Sequence, residues 1–356
     1  MIGFAALFAS SLLPATAASG TLYSINVTQP AGAIWIGHHL WESDGLQRFC
    51  RIDSTATAQP GAFVVDPGSP DYCYGGNLIP GLVAGTGGQG TGGNIGFVPG
   101  QAAYDAATNF IYIPDRSSKS LGVWRVQYDP ATETVVAGSG LILAPNKGLG
   151  GLRTTSVALG PDGSLYVGSH NTGDIKRVPN PSSAVATQVV QTIGKSISGK
   201  RIYGMVFAGS DLYLAEADGV GVIRNATGCQ SGCAAVRVAA FPSQESTAIA
   251  SNGGDTLYVT QPPNLVYGGS ISGGTAAVLA TAGQLEPGQP FPISVYPTSN
   301  CVDVVCPFSF PSGQNSALGV DPAGTLYIGD DPGATVTSGF PWNLRGRIWT
   351  VPAGAP

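Results

Sequence analysis

The feature that most constrains this chain is a short unit that recurs along it. In its clearest copy, Pro161-Asp162-Gly163-Ser164-Leu165-Tyr166-Val167-Gly168-Ser169-His170, a tight Asp-Gly turn precedes an apolar run with a central Tyr, and polar residues follow. Further copies are Asp211-Leu212-Tyr213-Leu214, Asp255-Thr256-Leu257-Tyr258-Val259 and Gly324-Thr325-Leu326-Tyr327-Ile328. Looser ones are Asn109-Phe110-Ile111-Tyr112-Ile113 and Ala33-Ile34-Trp35-Ile36. The central aromatics stand at 35, 112, 166, 213, 258 and 327, with gaps of 77, 54, 47, 45 and 69 residues. The shorter gaps match one four-stranded propeller blade, and the longer ones carry insertions.

The residues around each copy read as strands of one blade. In the third, Ser156–Leu159 is the inner strand and Leu165–Val167 the second. Ile175–Val178, alternating apolar and polar, is the third, and Thr187–Val190 the outer strand. The predicted fold is an all-β, six-bladed β-propeller of four-stranded antiparallel blades. Its loop insertions follow blade 1 and precede blade 6. Blade 1 is read as beginning at Tyr23–Val27, with Ile34–Ile36 as its second strand and Arg48–Ile52 as its third. No clear fourth strand follows Arg347–Val351, so Thr21–Ser24 are expected to complete the last blade and protect its edge. The domain reading is 1–18 as a signal peptide and 19–356 as a single propeller domain.

Composition fits this architecture. Only 10% of residues are charged, and Gly (52) and Pro (27) are abundant, as expected of a turn-rich β protein with a neutral polar surface. A net charge of −5 and no cluster of Lys and Arg exclude nucleic-acid binding, which needs cations to displace phosphate counterions. The glycine-rich run 85–93 lacks the Lys-Ser/Thr of a phosphate loop. Ile2–Leu13 is apolar and is followed by Ala15-Thr16-Ala17, the pattern of an export signal with its cleavage site. No later stretch has the length of a membrane span. The expected location is therefore secreted or periplasmic. Six cysteines suit an oxidising compartment. Proximity pairs Cys229 with Cys233 and Cys301 with Cys306, leaving Cys50 with Cys73. The Cys229–Cys233 bond is expected to pin a hairpin between the third and fourth strands of blade 4.

The Pro-Asp-Gly-x-Leu-Tyr-Val unit resembles the blade signature of NHL-repeat and SMP-30/gluconolactonase-like six-bladed propellers. The resemblance covers about 20–356, mostly through one short motif per blade. For the lactonase group it implies a divalent metal on the central axis, held by Glu, Asn and Asp from inner strands. Inner strands Ser156–Leu159, Thr247–Ile249 and Ala317–Val320 carry no carboxylate.

Aligning the copies on the aromatic gives two polar columns. Three residues on stand His38, Asp115, Ser169, Glu216, Gln261 and Asp330; one residue later stand His39, Arg116, His170, Ala217, Pro262 and Asp331. All three histidines fall in these columns. One reading is plain polarity where strands become loops. A second is a transition-metal or divalent ion held by His38, His39 and His170 with Asp330 or Asp331, since imidazole suits Cu, Zn, Fe or Ni. A third is a small molecule bound at the same mouth, with Trp41, Asp115, Arg116, Glu216 and Trp342 as contacts. The chain therefore reads first as a binding or interaction module for a protein or small-molecule ligand. The alternative is a metal-dependent lactonase or hydrolase, or a related oxidoreductase.

Overall fold

A computed structural model describes residues 21–27, 30–44, 48–52, 73–75, 100–115, 122–136, 138–144, 148–149, 152–197, 199, 201–240, 246–261, 265–270, 275–281, 317–330 and 346–351. The fold is an all-β, propeller-like arrangement; among the described residues the only helices are the 3-10 turns Val185–Thr187 and Ala226–Gly228. The strands form six sheets.

From the inside out, the first sheet is Pro30–Ile36, His39–Asp44, Arg48–Ile52 and Cys73–Gly75. The second is Ala103–Asp105, Phe110–Asp115, Gly122–Asp129 and Leu141–Ile142, with Thr134–Val135 pairing beside Gly122–Asp129. The third is Thr154–Leu159, Leu165–Ser169, Asp174–Val178, Gln191–Lys195 and Cys233–Ala234. The fourth is Ile202–Ala208, Asp211–Glu216, Gly219–Ile223 and Val236–Ala240. The fifth is Ile249–Ser251, Thr256–Gln261, Leu265–Ser270 and Thr275–Thr281. The sixth is Ala317–Val320, Leu326–Asp330, Gly346–Val351 and Thr21–Val27. The innermost strands pack in succession: Pro30–Ile36 meets both Ala103–Asp105 and Ala317–Val320, and each sheet's first strand touches the next sheet's.

The recurring turn explains itself at atomic scale. Gly163 adopts φ +72°, which a side chain resists. Asp162 Oδ1 accepts a hydrogen bond from Ser164 N (3.2 Å), and Oδ2 accepts one from Arg177 Nη2 on the third strand (2.5 Å). The same device recurs at Asp321, which accepts from Thr325 N (2.8 Å) and the Tyr327 hydroxyl (3.2 Å). The strand that follows alternates between the two seams of its sheet. Tyr166 packs forward against Leu212, Leu214 and Met205, whereas Leu165 and Val167 pack backward with Tyr112 and Val123. The described core is thus a series of seams between sheets, filled by buried aromatics and their aliphatic partners.

Three expectations need correction. Trp35 lies on the innermost strand of its sheet, not the second; the second strand is His39–Asp44, and Trp41 takes the place of Tyr112 and Tyr166 in the seam to the next sheet. The run from Ala31 to Trp41 carries two tryptophans in a short span, so the sequence offered two registers. Gly37, at φ +62°, marks the turn that decides between them. The outer strand of the third sheet is Gln191–Lys195, because Val185–Thr187 turns as a 3-10 helix. The Cys229–Cys233 bond forms, but its loop crosses to the neighbouring sheet: Cys233–Ala234 pairs in parallel with Gly194 and Lys195. As expected, N-terminal residues complete the last sheet, with Thr21, Leu22 and Tyr23 opposite Thr350, Trp349 and Ile348; Tyr23–Val27 therefore belong to that sheet and do not begin the first, which starts at Pro30. Cys50 is disulfide-bonded, and its cross-strand neighbour is Cys73. Cys301, Cys306 and the leader at 1–18 lie outside the described residues.

Candidate functional site at the strand-start mouth

Antiparallel neighbours reverse direction, so each sheet has two unlike ends. Turns from first to second strand and from third to fourth lie at one end. Turns from second to third strand, and the connections between sheets, lie at the other. The innermost strands of successive sheets run parallel, as the bridge between Gln101 and Ser156 shows. Their starts therefore converge on one mouth, where the second strands also end.

A belt of fully buried polar side chains surrounds this mouth: Ser43, Thr154, Thr155, Ser169, Ser246, Thr247 and Thr260, with Asp115 and Glu216 behind them. Burial makes each of these groups require a partner. Ser43 donates to Gly100 O at 2.6 Å, and the Thr155 hydroxyl donates to Ile202 O, tying each sheet to a later one. Thr247 and Thr260 share a hydrogen bond of 3.0 Å.

The acids of the first column turn away from the opening. Asp115 Oδ2 accepts from the Trp124 indole at 3.1 Å, inside the seam between the first and second sheets. Both oxygens of Glu216 accept from Ile197 N at 3.1 Å, at the seam between the third and fourth. Both are fully buried and hold seams together. Trp41 likewise is fully buried in a seam, stacked on Phe49 at 5.2 Å, and does not reach the mouth. Sequence reasoning missed Glu42, which is fully buried. By register it stands where the other sheets place Ile113, Val167, Leu214, Val259 and Ile328.

The histidines part company. His170 lies at the mouth, its backbone N–H bonded to Arg153 O at 2.8 Å. Its ring meets the Tyr203 ring edge to face at 5.5 Å, and Arg201 Nη1 donates to the Tyr203 hydroxyl at 3.2 Å. Arg153 and Arg201, at the starts of the third and fourth innermost strands, are exposed. A groove of about 500 Å³ lined by Lys195, Ile197 and Cys233 opens farther out at the same end.

His38 and His39 lie at a first-to-second turn, hence at the opposite end. There both grip Glu133 from the second sheet: His38 Nδ1 with Oε1 and His39 Nε2 with Oε2, each at 2.6 Å. Arg51 donates to Glu133 O at 2.8 Å. Burial pushes the Glu133 carboxyl up, but the His38 hydrogen bond and the charge of His39 outweigh it and hold the group below its usual range. Glu133 was not foreseen, because it is distant in sequence and lies in a turn outside the repeat. The predicted His38–His39–His170 set is therefore divided between the two ends, since the second column was aligned on Trp35 instead of Trp41. Asp330 ends a second strand at the mouth, opposite Arg347. Its side chain lies outside the described residues, as do Asp331, Arg116 and Trp342.

The axial metal implied by the lactonase resemblance does not fit the described donors. No group of three His, Cys, Asp or Glu that could hold a metal ion is found among the described residues. The innermost strand starts offer hydroxyls and one carboxamide, Gln101, whose oxygen already accepts from Met205 N and whose nitrogen donates to Ile249 O, both at 3.0 Å. A hard divalent cation favours carboxylate and carbonyl oxygens, and the described strand starts bring no carboxylate to that place.

No family's sequence profile matches the chain, and no curated protein sequence does. Solved structures do match its fold. A gluconolactonase from Xanthomonas campestris is 12% identical, covering 92% of this chain and 86% of that one, with a TM-score of 0.53. A PQQ-bound aldose sugar dehydrogenase from Streptomyces coelicolor is 15% identical over 94% of this chain and 98% of that one, TM-score 0.51. A luciferin-regenerating enzyme is 11% identical, with coverage of 94% and 96% and a TM-score of 0.52. These likenesses establish a propeller fold. Among the described residues no helix is long and apolar enough to cross a membrane.

Proposed function

We propose that the chain is an exported six-bladed propeller that hydrolyses a small lactone or ester at the strand-start mouth. The observation that carries this is His170, the histidine at that end, braced by Tyr203 and flanked by Arg153 and Arg201. Opening a lactone needs a proton taken from water as its oxygen bonds to the carbonyl carbon. The ring oxygen needs a proton back as its bond to that carbon breaks. Imidazole, titrating near neutrality, performs both transfers. The charge that develops on the carbonyl oxygen needs a cationic or N–H donor, a role for Arg201. The fold likeness to a gluconolactonase and a sugar dehydrogenase favours an enzyme on such substrates over a passive scaffold. Paired cysteines support export to an oxidising compartment.

The test is a panel of lactones and esters, with and without Ca, Mn and Zn. Turnover that falls by about 10²- to 10⁴-fold in His170→Ala supports the proposal. A flat panel under every condition removes it and leaves the second reading, a binding module for a protein or small molecule. One observation favours that reading: Asp115 and Glu216, two acids at that end, are both engaged in holding seams.

A further inference from the structure

The position of Gln101 is unusual for a side chain that starts an inner strand. Its backbone N–H donates to Thr155 O at 3.0 Å, and its carbonyl accepts from Val157 N at 3.0 Å, both in the third sheet. Its carboxamide goes farther. Oε1 accepts from Met205 N in the fourth sheet, and Nε2 donates to Ile249 O in the fifth, each at 3.0 Å. A Cβ placed on Gly32 of the first sheet would lie 2.5 Å from Gln101 Cα, and one on Gly204 would lie 2.9 Å from Oε1. Glycine at both positions is what lets the residue sit there. One side chain and its backbone thus reach four sheets besides the one they lead into.

We propose that Gln101 is an axial bridge, a neutral carboxamide that closes the centre of the molecule where the related lactonase fold is expected to hold a cation. This rests on the six-bladed ring stated above, in which the second and fifth sheets face each other across the axis. A carboxamide suits the place because it offers one acceptor and two donors and carries no charge. It satisfies an N–H and a carbonyl from separate innermost strands, and neither is left to need an ion. The mouth then becomes a blind cup, and a ligand enters and leaves by the same end.

Hydrogen exchange and thermal melting of the full chain test the bridge without reference to activity. In the unaltered protein the Met205 amide should exchange only through global unfolding. Gln101→Met, close in volume but without the two bonds, should raise Met205 exchange about five- to tenfold. The same change should lower Tm by about 2–6 °C. Gln101→Ala should do so at least as strongly. Ca, Mn, Zn or a chelator should leave the melting of the unaltered protein unchanged. The proposal is overturned if the unaltered Met205 amide exchanges by local opening, or if Gln101→Met matches the unaltered protein in both readouts. Near-stoichiometric metal that raises Tm would overturn it too. A flat lactone panel would remove the enzymatic reading and leave this one standing.

Discussion

At the scale of single residues, close backbone approach governs the centre of the molecule. Gly100 sits beside the third sheet so tightly that a Cβ would fall 1.9 Å from Thr155 O. Gly100→Ala must push two innermost strands apart and should cost about 1–3 kcal/mol, read as a lower urea midpoint with an unchanged slope. At the other end, Glu133 makes a pH-dependent clamp between the first two sheets. Its folded pKa is depressed, so its stabilisation is present above its ordinary value of 4.5 and is lost as pH falls through the folded value. The stability difference between the unaltered protein and Glu133→Gln should therefore be present just above pH 4.5 and shrink as pH falls below about 4.5. A constant difference across denaturant melts at several pH values would contradict the clamp. The residues of the clamp were half legible: His38 and His39 were singled out, while their partner was invisible because nothing in a repeat announces a contact 95 residues away.

At the scale of elements, the strands with an Asp-Gly turn and a central Tyr were read correctly from sequence. There the turn chemistry and the period-2 pattern agree, as at Pro161–Ser169. The first sheet was read one strand out of place because Trp35 and Trp41 both satisfy the pattern. That slip carried His38 and His39 to the wrong end. The acids at 115 and 216 were placed correctly on their strands, but sequence gives only the column, whereas the seam they face depends on packing. The loop closed by Cys229 and Cys233 shows a similar limit, since proximity found the bond but not the sheet it reaches. Replacing both cysteines with Ser should free Cys233–Ala234 from Gly194 and Lys195. Faster exchange confined to Ala234 and Lys195, with little change at Leu214, is the expected pattern. Equal loosening at Leu214 would mean that the loop supports the whole fourth sheet.

At the scale of the whole molecule, the two ends differ in kind. One carries His170 beside a buried belt of Ser and Thr hydroxyls; the other carries Glu133 clamped by two histidines. Closure depends on Thr21–Val27, which completes the last sheet against Gly346–Val351. A chain beginning at Pro30 exposes that edge. It should melt at lower temperature and self-associate, as light scattering on heating would report; a truncated chain as stable and monodisperse as the full one would refute this closure. The division between ends bears on function most directly in one experiment. Initial rates on the lactone and ester panel should be compared for the unaltered protein, His170→Ala and His39→Ala, each first shown to be folded. The account predicts that His170→Ala loses turnover by about 10²-fold or more while His39→Ala retains it. Loss in His39→Ala with retention in His170→Ala would place the chemistry at the other end and contradict the account.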